Sequence, residues 1–254
     1  MNKYENIKQK LINFLKEEIH KTGLKRVVVG LSGGLDSAVV AVLCKEAFKD
    51  NLNCVLMPSQ YSSKASVEDA VELCKKFDIK YEIVSIEPML SAYLKNMEEN
   101  SLRIGNFSAR LRMSVLYDIS ARENSLVIGT SNKSELLLGY GTIFGDLACA
   151  INPIGDIYKS DLFEFAKYLG VNDSIVKKAP SADFYEGQSD EADLGYSYAK
   201  IDSLLKKMID ENRSNDELLD FGFEDKFIKN IKKRVKINEF KRRLPIIAKI
   251  WKLR

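Results

Sequence analysis

A chain of 254 residues that is 45% hydrophobic and 30% charged, with a net charge of only +3, can bury one substantial core and is too apolar to be disordered or fibrous. Its 4 cysteines form no C-x-x-C pair and its 1 histidine, His20, stands alone, which argues against a zinc site and a Ser-His-Asp or Cys-His relay. No stretch offers the roughly 18 uncharged apolar residues that a membrane span needs, so a cytoplasmic protein is expected.

From the N-terminus, Met1 to His20 interleaves Lys and Glu with Ile7, Leu11, Phe14, Leu15 and Ile19, the pattern of an amphipathic helix rather than a signal peptide. Lys25 to Leu31 is β-branched and continuously apolar after its basic start, as a parallel strand covered on both faces should be. Ala38, Val39, Val42, Leu43 and Ala47 then recur at helical spacing, so strand, glycine-rich turn and helix follow directly. Cys54 to Met57 reads as a second strand ending at Pro58, Ser66 as the cap of a helix through Phe77, and Tyr81 to Ile86 as a third strand. Pro88 to Met97 and Phe107 to Glu123 look helical; Leu126 to Ile128 is a fourth strand, followed by a short helix from Ser134 to Leu138 and a glycine-rich loop from Gly139 to Gly155.

Alternating strands and helices predict a single α/β domain: a doubly wound parallel sheet of about five strands with helices on both faces. Ligands bind such sheets beyond the carboxyl ends of the strands, where the loops after Leu31 and Ile128 emerge. Beyond Ser160 the pattern is mostly helical. Pro180 to Gly195 lacks periodicity and is expected to be a mobile loop. Cys44, Cys54 and Cys74 lie inside apolar elements and read as buried thiols, leaving Cys149 as the one cysteine in a glycine-containing loop. Charge is uneven: residues 183 to 225 are rich in acids, whereas 226 to 254 are basic with Glu239 the sole acid. That basic end suits a solvated helix face or phosphate binding better than nucleic acid, since aromatic residues are sparse there.

The strongest local signal is Ser32-Gly33-Gly34-Leu35-Asp36-Ser37 between a strand and a helix. Consecutive glycines let backbone N–H groups converge on one point and the helix N-terminus adds its positive end, so a phosphate oxyanion can be held without side-chain cations. Neither G-x-x-x-x-G-K-[ST] nor G-x-G-x-x-G is present. A plain strand-to-helix turn capped by Asp36 and Ser37 would use the same residues.

This loop resembles the pyrophosphate loop of the N-type ATP pyrophosphatases, which adenylate a substrate and release pyrophosphate. Gly129 to Glu135, then Gly139-Tyr140 and Gly145-Asp146, resemble the corresponding block of NAD synthetases. Asn152-Pro153-Ile154 with Lys159, Lys178 to Asp183, and Lys241-Arg242-Arg243 continue the likeness in the same order, from about Ile7 to Pro245. The resemblance implies an adenine nucleotide alpha hydrolase-like fold and a ligase that converts deamido-NAD, ATP and ammonia to NAD, AMP and pyrophosphate through an acyl-adenylate.

Carried over by position, the resemblance implies that Gly30, Leu31, Ser32, Gly33, Gly34, Leu35, Asp36 and Ser37 bind ATP together with Thr130, Lys159 and Ser181. Asp36 and Glu135 would hold Mg²⁺, and Asp36, Glu135 and Lys159 would serve the chemistry; hard carboxylate oxygens suit that ion. Arg110, Asp146, Lys241 and Arg242 would bind deamido-NAD, a planar arginine fork matching phosphate or carboxylate. Asp183 is a candidate base for ammonium. Ile143, Ala150 and Phe240 depart from residues that other members of the family carry at these positions. The resemblance also implies a homodimer with small-molecule substrates, no nucleic acid and no membrane. A glutamine-hydrolysing domain would not fit before Ile7 or after Pro245, so free ammonia is the expected donor. A tRNA-modifying pyrophosphatase and a nucleotide-binding sensor are the rival readings.

Overall fold

The computed structural model describes residues 2–95, 97, 98, 100–181, 189–243, 245, 247, 248 and 250. Asn2 caps helix α1 (Lys3–Thr22), which buries Ile12, Leu15 and Ile19. Strand β1 (Arg26–Gly30) leads into α2 (Leu35–Phe48), then β2 (Leu52–Leu56), α3 (Lys64–Lys76) and β3 (Tyr81–Ile83). After α4 (Glu87–Leu94) and α5 (Ser101–Glu123), β4 (Ser125–Ile128) completes a parallel sheet in the order β3-β2-β1-β4.

Both faces of the sheet are covered, which is why Val27–Val29 of β1 and Cys54–Leu56 of β2 are unbroken apolar runs. Val27 and Val29 of β1 face a core built with α1, α2 and α3, whereas Val28 faces Met113, Leu116 and Ile119 of α5. The period-two alternation of strand side chains sorts them to opposite faces. Among the described residues the sheet has four strands where about five were expected. In the fifth place Ile151 pairs with Ile128 through one isolated parallel bridge, and Gly129 N donates to Ile151 O at 2.8 Å. Pro153, two residues on, has no N–H with which to continue a ladder. The third helix also starts earlier than expected: Ser63, not Ser66, is its cap and accepts from Ser66 N at 3.0 Å.

The remaining elements are α6 (Lys133–Leu138), α7 (Lys159–Leu169), α8 (Asp173–Val176), α9 (Asp190–Leu194), α10 (Tyr198–Leu205) with a π-helical turn at Lys206–Asp210, α11 (Asn215–Asp220), α12 (Asp225–Ile237) and a 3₁₀ turn at Glu239–Arg242. α7 and α8 pack Leu162, Phe165 and Ile175 into the core beside α2. Tyr198, Leu204, Phe227, Ile228 and Ile231 form a separate core beside α6, so the helical C-terminal part is a second layer on the end of the sheet. Among the described residues no helix is long and apolar enough to cross a membrane.

Candidate active site

Beyond the carboxyl edge of the sheet lies a cavity of about 810 Å³. Its floor begins at the Ser32–Ser37 turn. Gly33 has φ 80°, and a Cβ there would lie 1.9 Å from the Ser66 carbonyl oxygen, so the turn is seated hard against the start of α3. Ser32 N donates to Ser37 Oγ at 3.2 Å, the two hydroxyls are 3.0 Å apart, and Gly34 N donates to Ser32 Oγ at 3.2 Å. The serine hydroxyls thus brace the turn itself. α2 starts at Gly34 without a side-chain cap, leaving its first amides for an external acceptor.

In the first turn of α2, Asp36 meets residues 96 and 123 positions away. Asn132 Nδ2 donates to Asp36 Oδ1 at 2.8 Å, and Asn132 also caps α6 in a reciprocal box with Glu135. The Lys159 ammonium bonds to the other Asp36 oxygen and lies 3.5 Å from Glu135 Oε1. Lys159 is only 3% exposed, far below what a lysine ordinarily tolerates. Burial opposes its charge, but Asp36 and Glu135 outweigh burial and hold the ammonium above the usual lysine value. Burial, reinforced by Asp36, pushes the Glu135 carboxyl up to about 8. The structure therefore brings Asp36, Glu135 and Lys159 together beside the Ser32–Ser37 turn. Two carboxylates facing that turn fit Mg²⁺, which takes one or two protein carboxylates and completes its shell with phosphate and water. No group of three or more His, Cys, Asp or Glu among the described residues would hold an ion alone.

The pair predicts an exchange of stability against function. The folded protein retains a proton on Glu135 that the unfolded chain releases, so this carboxyl costs stability increasingly as pH rises from about 4.5 toward 8. Glu135→Gln removes the charge and keeps an oxygen for the capping bond. In metal-free buffer at pH 8 it should stabilise the fold by ~2 kcal/mol, or roughly 4–8 °C in Tm, with the gain vanishing near pH 4. Melting curves at both pH values check this, and an equal shift at each would contradict it.

Thr130, Ser181, Asp146 and Lys241 also line the cavity. Arg110 does not. It is exposed on α5 and borders a second hollow of about 230 Å³ with Tyr93 and Phe107. Lys241 Nζ donates to the carbonyls of Gly139 and Gly141 at 2.7 and 2.9 Å, and Arg242 to those of Leu136 and Leu137 at 3.1 and 2.8 Å. Arg242 is absent from the cavity wall and neutralises the carbonyl end of α6, a position that favours cations. Asp183 lies outside the described residues.

Sequence reasoning did not single out two further wall residues. Arg112 donates to Met57 O at 3.0 Å and shapes the wall beside β2. Asp190, 4% exposed, accepts from Tyr140 at 3.1 Å and Tyr198 at 3.3 Å, and burial raises its carboxyl above the usual range. Nothing local in the sequence marks these residues, because their partners are remote. Cys149 is half-buried beside Gly129 and burial pushes its thiol up to about 11, so it is not a poised nucleophile.

Residues 7–245 match the family model described as NAD synthase. A curated NH3-dependent NAD+ synthetase of Campylobacter jejuni is 52% identical over 97% of this chain and 99% of its own length. Among solved structures, the Campylobacter jejuni NH3-dependent NAD synthetase in complex with nitrate superposes with a TM-score of 0.83 at 45% identity, covering 98% of this chain and 100% of that one. An NMN synthetase from Francisella tularensis superposes with a TM-score of 0.87 at 32% identity and the same coverage.

Proposed function

We propose, from the premise that the chain belongs to the NAD synthase family, how this cavity makes an amide from a carboxylate. The protein is an ATP-dependent ligase of the NH3-dependent NAD+ synthetase type. ATP lies with its phosphates on the Ser32–Ser37 amides, flanked by Thr130 and Ser181, and deamido-NAD occupies the end of the cavity near Asp146 and Lys241. The nicotinate carboxylate attacks the α-phosphorus, pyrophosphate leaves into the turn, and ammonia then displaces AMP from the acyl-adenylate.

The observation that carries this reading is the buried Lys159 ammonium beside Asp36 and Glu135 at the mouth of the turn. Such chemistry needs placement and charge stabilisation more than a protein nucleophile, which matches a chain with a single exposed histidine. Lys159 stabilises charge on the departing phosphates. Asp36 and Glu135 are the residues to hold Mg²⁺, which when bound neutralises phosphate charge. Asn132 keeps Asp36 oriented through its 2.8 Å bond.

Arg110, set apart from the main cavity, suits a dinucleotide that reaches across a homodimer interface. Leu102, Tyr93 and Tyr117 on and beside α5 are 64%, 46% and 45% exposed, a large apolar surface for a monomer to leave open. The working compartment is the cytoplasm, and small molecules rather than nucleic acid are the partners.

Purified protein with ATP, Mg²⁺, ammonia and deamido-NAD should release pyrophosphate and form NAD, and Asp36→Asn should reduce both by at least about 10³-fold. Parallel reactions with the mononucleotide counterpart and with tRNA separate the related activities. Release stimulated by tRNA alone, or by no acceptor, would displace this reading.

A further inference from the structure

α7 carries Lys159 in its first position, yet Tyr158 stands at its N-cap and provides no side-chain cap bond. The backbone donors at this helix start are instead satisfied from two other elements. Lys159 N donates to Ser134 Oγ at 2.9 Å, and Ser160 N donates to Asp202 Oδ2 at 2.8 Å. The remaining Asp202 oxygen accepts from Ser134 Oγ at 2.6 Å. Asp202 belongs to α10 and is 1% exposed, and Ser134 is fully buried. One carboxylate therefore joins the starts of α6 and α7 at the residues directly beside Glu135 and Lys159.

We propose that Asp202 is a positioning residue for the ligase reaction: it clamps the two helix starts so that the Lys159 ammonium is held between Asp36 and Glu135. A buried carboxylate at a helix N-terminus is favoured by the helix dipole, but stability alone does not require one, because apolar side chains often replace buried ionic groups without loss. What an apolar residue cannot do is accept two bonds of fixed direction from two elements at once. Lys159 reaches the phosphate site along a flexible stem, and the backbone anchor decides where that stem begins. Misplacement by about 1 Å at such a distance costs turnover about 10²-fold. The inference rests on Lys159 serving the reaction as proposed above.

The test is a kinetic cycle at saturating magnesium and ATP, run where circular dichroism shows each variant folded. Asp202→Ala should lower kcat by about 10- to 100-fold. Asp202→Asn should stay within about 5-fold of wild type, because its amide can accept from Ser160 N and donate to Ser134 Oγ. In a Lys159→Gln background, Asp202→Ala should cost less than about 2-fold more, since the ammonium it positions is gone. An equal loss in both backgrounds, wild-type kcat in folded Asp202→Ala, or an Asn variant as impaired as Ala would each overturn the proposal. If Asp202→Ala does not fold, Ser134→Ala enters the same cycle: a kcat loss that disappears with Lys159→Gln supports the clamp, and an unchanged or additive kcat refutes it. Wild-type turnover in Lys159→Gln alone would defeat the reading of Lys159 itself, an outcome distinct from all of these.

Discussion

Lys159→Gln should cut turnover by about 10²- to 10³-fold and, in metal-free buffer at pH 7, lower Tm by roughly 6–12 °C. The kinetic loss follows from removing the cation held beside Asp36 and Glu135, where charge develops on the departing phosphates. The thermal loss has a separate cause. Without the ammonium the largely buried Asp36 carboxylate loses its cation, and breaking a buried ion pair by deleting one partner costs about 3 kcal/mol. Magnesium should restore most of the lost Tm if Asp36 and Glu135 hold it, while leaving kcat low. Calorimetry with and without magnesium separates the two effects. A variant that melts like wild type in metal-free buffer would show that the pair does not depend on this lysine.

Gly33→Ala is the second large effect. The new methyl meets two obstacles. One is a backbone at φ 80°, which strains any side chain; the other is the Ser66 carbonyl oxygen, only 1.9 Å from where the methyl must sit and, as main chain, unable to rotate away. Either the turn lifts or α3 shifts at its start. We expect a loss of about 2–4 kcal/mol and an ATP KM raised at least about 10-fold, because the amides no longer converge. Gly34→Ala is the control: its nearest obstacle is the Ser32 hydroxyl at 3.3 Å, a small side-chain atom, so its stability should change little. Thermal melts and ATP titration of both variants decide the matter, and equal behaviour of the two would count against a turn seated on Ser66.

The elements legible in the sequence were those whose signal is local. β1 announces itself by Val27, Val28 and Val29 because burial on both faces demands an unbroken apolar run. The Ser32–Ser37 turn is equally plain, since consecutive glycines between strand and helix serve few other geometries. Edges were harder to read. The start of α3 was displaced by three residues because Ser63 and Ser66 are both acceptable caps, and the sheet expected to have about five strands has four among the described residues, with one bridge at Ile151 beside Pro153.

By itself the sequence determined that this is a parallel α/β protein with a phosphate-type turn at the first strand's carboxyl edge, because strand periodicity, glycine conformation and helix amides act over a few neighbouring residues. Only the tertiary structure decided that Lys159 is buried between Asp36 and Glu135, that Asp202 ties their helices together, and that Arg242 serves the carbonyl end of α6 rather than the cavity wall. Those facts join residues 24 to 123 positions apart, and the direction in which a long charged side chain finds its partner depends on packing that no local pattern encodes.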